Sequence, residues 1–103
     1  MPMSVRSFPT FYSPIGFQKL TVSSTAVGFT LPTSMQVRAV NFTCETDQIR
    51  FRVDGSNPDS TTGVLVNDGD IVDLLNVDAI NNFKAIRITN DATIQIHYFG
   101  GGV

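Results

Sequence analysis

Any chemistry in this chain would have to come from very few side chains. His97 is the single histidine, Cys44 the single cysteine and Glu45 the single glutamate; the remaining eight carboxylates are aspartates. Nucleophilic or acid–base catalysis needs a base within hydrogen-bond reach of the group that it activates. Alternation of apolar and polar residues puts His97 in the outward phase of its run, with Thr93 and Gln95, and far from Cys44 in sequence. Cys44 shares the phase of Val40 and Phe42, the pattern of a small buried apolar residue. A zinc site would have to recruit two or more carboxylates beside one Cys and one His, which argues against zinc.

Two stretches group oxygen-bearing side chains, Asp54, Asn57 and Asp59 in one and Asp68, Asp70 and Asp73 in the other. Calcium takes six to eight oxygens from a fixed loop, and neither stretch has the EF-hand spacing, so turn chemistry is the simpler reading. Arg50 and Arg52 flank Phe51, and Arg87 lies in another outward phase. A sheet face with arginines can grip phosphate or stack bases, but acids at Glu45, Asp47 and Asp54 and the lack of an exposed aromatic cluster point instead to ion pairs or a subunit contact. Nothing resembles a nucleophile elbow, a P-loop or a dinucleotide fingerprint. The expectation is a protein that is not an enzyme, with no catalytic residue, cofactor or metal.

Composition sets the frame for these residues. At 103 residues the chain is one domain with one modest core. Charged residues make up 16%, and the formal net charge is −2. A binder of nucleic acid or of anionic membrane surfaces carries a basic surplus, so neither partner is expected. With one cysteine there is no internal disulfide, and stability must come from packing or assembly. No apolar run approaches the ~20 residues of a transmembrane helix. The start, Met1-Pro2-Met3-Ser4-Val5-Arg6, lacks the apolar stretch of a signal peptide, so synthesis in a cytoplasm is expected.

The elements that must position these residues are strands. Residues 48–53, 70–74, 83–89 and 92–99 alternate with a period of two, so one face of each is buried and the other wet. Residues 17–22, 27–31 and 35–46 add further strands, the second ended by Pro32. Residues 54–63 read as an exposed loop after which 64–66 forms a brief strand. Asn67-Asp68-Gly69 is expected to turn a tight hairpin into 70–75, and Thr89-Asn90-Asp91-Ala92 to join the last two strands as another. Residues 76–82 make one helical turn or an irregular connection. Seven or eight short strands predict an all-β, single antiparallel β-sandwich of jelly-roll type, a five-stranded barrel being the other solution with this alternation. The predicted organisation is an extended N-terminal arm over 1–16, a sandwich over 17–99 and a glycine-rich tail over 100–103. In the arm, Pro2, Pro9 and Pro14 block helix while Phe8, Phe11, Tyr12 and Ile15 supply apolar anchors for docking on this domain or on a neighbour.

Three stretches carry a family resemblance. They are Leu20-Thr21-Val22-Ser23-Ser24-Thr25-Ala26-Val27-Gly28-Phe29-Thr30-Leu31-Pro32, then Gln48-Ile49-Arg50-Phe51-Arg52-Val53-Asp54-Gly55-Ser56-Asn57-Pro58, then Phe83-Lys84-Ala85-Ile86-Arg87-Ile88-Thr89 before Ile94-Gln95-Ile96-His97-Tyr98-Phe99. Taken in order over about residues 17–99, they resemble small β-sandwich structural proteins of tailed-bacteriophage virions. The resemblance implies a virion location and a capsid decoration (cement) role, as a homotrimer bound to the major capsid protein or other virion proteins. Phe8, Phe11 and Tyr12 would then be arm anchors, and Arg50, Arg52 and Arg87 polar interface residues. A head–tail or tail accessory module, and a glycan-binding module using the 54–63 loop, are the alternatives.

Overall fold

A computed structural model describes residues 12–32 and 36–100. They form two antiparallel sheets packed face to face, the β-sandwich predicted from the alternation. The strands are β1 (Ser13–Val22), β2 (Val37–Glu45), β3 (Ile49–Arg52), β4 (Val64–Val66), β5 (Ile71–Leu74), β6 (Lys84–Arg87) and β7 (Ala92–Gly100), with one short helix, α1 (Val77–Asn82), between β5 and β6. The first sheet has the order β1-β7-β2-β5 and the second β4-β3-β6.

Alternation places the core as expected. Val40, Phe42 and Cys44 of β2, Ile49 and Phe51 of β3, and Ile94, Ile96 and Tyr98 of β7 are all buried between the sheets. Rings dominate the middle: Phe29 stacks on Phe83 at 4.1 Å, and Phe42, Phe51 and Tyr98 meet this pair at tilted or edge-on angles. Such geometry adds to the burial of large apolar side chains. The Tyr98 hydroxyl donates to Gln18 Oε1, which also accepts from the Thr30 backbone N–H at 3.0 Å, so the phenolic oxygen of this buried ring is satisfied while the 27–31 segment is held down.

Several expectations about connectivity are corrected. Neither predicted hairpin exists as such. The 67–70 turn does form, with Gly69 at φ +93 and Asp70 N–H bonded to Asn67 C=O at 3.0 Å. Its flanking strands, however, lie in different sheets, β4 in one and β5 in the other. Residues 88–91 likewise carry the chain from β6 across to β7. Turn residues specify a reversal; which strand is then met is decided by burial of apolar faces in both sheets. The 27–31 strand shrinks to a single bridge, Val27 with Ala85, beside β6. Counting that bridge as an eighth strand gives two four-stranded layers with the chain passing repeatedly between them, the interleaving of a jelly roll. β1 begins at Ser13 rather than residue 17, so residues 13–16 of the expected arm pair with β7 through a bulge between Pro14 and Gly16. Gly100 of the expected tail is the last residue of β7. Residues 76–82 take the helical option: Asn76 caps α1 by accepting from Ala79 N–H at 3.1 Å, and the helix buries Ile80.

Candidate interaction surfaces

On the solvent side of the first sheet, strand register lines up whole rows. One runs Phe17–His97–Asn41–Asp73 across β1, β7, β2 and β5, and the next Lys19–Gln95–Thr43–Ile71. His97 is exposed as expected; its ring lies 4.9 Å from Phe17 and 6.3 Å from Phe99. Asn41 donates to Asp73 Oδ1 at 2.7 Å. This is a polar sheet face with a small aromatic patch at one side, and Cys44 and His97 are on opposite faces of it.

Cys44 is fully buried and donates from Sγ to Asp47 C=O at 3.1 Å. Burial pushes its thiol up to about 11, helped by the negative charge of Asp68, Asp70, Asp47 and Glu45 nearby. A thiol held neutral in this way is a poor nucleophile and a poor metal ligand at neutral pH.

The three arginines singled out by sequence are each bonded within the chain. Arg50 donates from Nε to Ser60 C=O at 3.1 Å and from Nη1 to Gly63 C=O at 2.9 Å, clamping the end of the 54–63 loop onto β3. Arg52 makes a two-pronged pair with Asp54, at 3.0 and 2.5 Å, which holds the Asp54 carboxyl below its ordinary range. Arg87 pairs with Asp91. They are not gathered into one patch. Arg50 and Arg52 share the outer face of β3, whereas Arg87, expected in an outward phase, lies opposite the buried Ile49 and in phase with the buried Ala85; only its place at the end of β6 lets its side chain reach Asp91. Of the arm anchors, Phe8 and Phe11 lie outside the described residues, and Tyr12 is half-buried just before β1.

The aspartates are used in turns. Asp59 accepts from Thr61 N–H at 2.9 Å and is lowered by it, Asp70 accepts from Asn67 N–H at 2.9 Å, and Asp47 accepts from Gln48 N–H at 2.7 Å and from Asn90. Among the described residues no three His, Cys, Asp or Glu side chains are grouped to hold a metal ion. No described helix is long and apolar enough to cross a membrane.

Sequence reasoning missed the most informative surface. Of five exposed large apolar residues among the described residues, four lie on β4, β5 and the residue that follows: Val64, Leu65, Ile71 and Leu75. β4 and β5 are the outer strands of the two sheets and are joined by the 67–70 turn, so these residues flank one edge of the sandwich, Leu65 facing out of the second sheet beside Arg50 and Ile71 out of the first beside Thr43. A signal existed. Three consecutive apolar residues in a strand, Val64-Leu65-Val66, must turn at least one to solvent unless both faces are covered.

No known protein family, curated protein or solved structure matches this chain.

Proposed function

We propose that this chain is a structural protein of a bacteriophage virion, in the first place a capsid decoration protein that binds the outer surface of the head and stabilises it. The observation that carries this reading is the run of exposed apolar residues along the β4–β5 edge, on a scaffold where Arg52 pairs with Asp54 and Arg87 with Asp91. Large apolar side chains left exposed along a sheet edge are what protein contacts use. The order of the three sequence stretches adds the virion context, and the partners are the major capsid protein and further copies of this chain as a homotrimer. Residues 1–11 precede β1 and carry Phe8 and Phe11, which in this reading reach the neighbouring subunit.

The test is co-sedimentation of the purified chain with expanded heads of the virus that encodes it, prepared without this protein. Saturable binding and raised thermal resistance of the heads are expected; no binding, or heads equally labile with and without it, overturns the reading. Native mass spectrometry separates the alternatives. Trimers fit decoration, and rings of six or twelve fit a head–tail or tail accessory module. A glycan-binding role has one observation in its favour, the Phe17–His97 ring pair beside Gln95 and Asn41; binding of this face to a glycan array in place of heads would support it.

A further inference from the structure

We propose that β4 is a two-fold seam at which two copies of this chain pair antiparallel, Leu65 against Leu65, joining their three-stranded sheets into one of six strands. The proposal goes beyond the decoration reading and does not rest on it.

The four sheet edges are protected unequally. An edge strand offers unpaired backbone groups, and proteins blunt such edges with charges, prolines, bulges or a covering segment. β1 carries Pro14, Lys19 and the bulge between Pro14 and Gly16. The free side of β6 is covered: Val27 and Ala85 exchange two hydrogen bonds of 2.9 Å, and Arg87 N–H reaches Ser23 C=O at 3.0 Å. β5 has Asp73 within it and Asp70 just before it. β4 alone has no charge, no proline and no bulge, and among the described residues it has no cover and no strand neighbour but β3. It also exposes Val64 at 56% and Leu65 at 43%.

Charge and register select the occupant. A two-fold axis perpendicular to the sheet keeps both sandwich interiors on one side, so opposed residues must share a facing. Val64-Leu65-Val66 reads the same in both directions. With Leu65 on the axis, Val64 lies opposite Val66 of the second copy, and both belong to the inward phase. The exposed Val64 is thereby covered by the strand most like its own. Continuing outward, Gly63 falls opposite Asn67, and the first charged residue, Asp68, opposite Thr62 rather than another acid. Pairing β5 with itself is less favourable in each register. The register that centres Asp73 sets two carboxylates face to face, and the next leaves Asp70 and Asp73 of both copies along one seam. A second copy therefore fits β4 and is repelled at β5.

Three residues a side make a small contact, well below the roughly 800 Å² per partner of a stable complex, so the pairing strengthens only at high concentration or when copies are held close together. The first measurement is native mass spectrometry of the full chain from about 10 µM to about 1 mM, a range chosen for a weak interface. Even-numbered species rising with concentration are expected; absence of any two-fold species throughout overturns the proposal. Leu65→Lys places two ammonium groups on the axis and should remove these species while circular dichroism stays unchanged. Retention of them by this folded variant also overturns it. Leu65→Cys should form a disulfide-linked dimer under mild oxidation at least tenfold faster than Ser56→Cys in the exposed loop, since cross-strand Cβ atoms on the axis lie about 4.5–5.5 Å apart. Equal rates overturn the seam. Head binding by Leu65→Lys keeps the two questions apart: a variant that no longer pairs but still binds heads leaves the decoration reading intact.

Discussion

At the scale of single residues, burial converts two ordinary side chains into alkaline liabilities. Cys44 is held up to about 11 and Tyr98 to about 12, both first of all by loss of water. In the unfolded chain the same groups ionise near their ordinary values, at lower pH. Their contribution to stability is therefore complete below about pH 9 and is lost as pH rises through the folded values. At pH 10.5 the Cys44 share of that loss comes to about 2 kcal/mol. Cys44→Ala should be less stable than the parent at pH 7 yet lose about 2 kcal/mol less between pH 7 and 10.5, read from urea midpoints at the two values. Equal losses would show that Cys44 does not drive the alkaline limb. Thr46 is a second residue-scale cost. It turns β2 into β3 with φ +82, a left-handed backbone that a β-branched side chain rarely adopts. Asn tolerates that region, so Thr46→Asn should raise stability by roughly 1 kcal/mol, seen as a thermal midpoint about 4–8 °C higher.

At the scale of elements, the phases of β2, β3 and β7 were legible, that of β6 was not at Arg87, and neither were the routes between the strands. Phe42, Cys44, Ile49, Phe51, Ile94 and Ile96 lie where alternation puts them, because a period of two admits only one burial solution per strand. The turns at 67–70 and 88–91 were legible as turns. That they pass between sheets was not, since the preference is written in faces that meet only after collapse. The surface was partly legible: His97 out and Cys44 in follow from phase, whereas the edge position of β4 depends on the whole strand order. The arginines show the limit of reading charge from sequence. Arg50 was a candidate contact for a partner, and in the fold its guanidinium holds the carbonyls of Ser60 and Gly63. Gly63 itself tolerates no side chain there, with φ +133 and the Phe51 carbonyl 3.0 Å from where a Cβ would sit. Arg50→Met keeps the length of the side chain and removes both bonds. At about 1 kcal/mol each, their loss should raise the open population of the 54–63 loop on the order of tenfold. Limited proteolysis would register this as faster cleavage within 54–63, with β3 still protected; an unchanged cleavage rate would mean that the loop is held by Pro58 and the Asp59–Thr62 bridge alone.

At the scale of the whole molecule, the first and last strands are partners, and this decides what can be removed. β1 pairs with β7 from Ser13 opposite Gly100 to Val22 opposite Ala92, and β7 in turn pairs with β2 at the centre of its sheet. Contacts of such long sequence separation form late and slowly, so the sandwich depends on both ends of the chain being present. The boundary of the dispensable N-terminal segment is therefore Tyr12, before β1, and not residue 16. Removing residues 1–11 leaves every described strand intact and should leave the strand circular dichroism and the cooperative urea transition in place. Removing residues 1–22 deletes β1, strips the covering from one side of β7 and takes the buried Val22 and the packed Leu20 from the core; that chain should fail to give a cooperative transition at all. The pair of truncations also bears on function. If residues 1–11 carry the grip on a neighbouring subunit, the shorter deletion separates folding from binding: a folded sandwich that no longer co-sediments with heads. Full binding by the 1–11 deletion would move the contact onto the sandwich itself, where the β4–β5 side is the surface that remains to hold it.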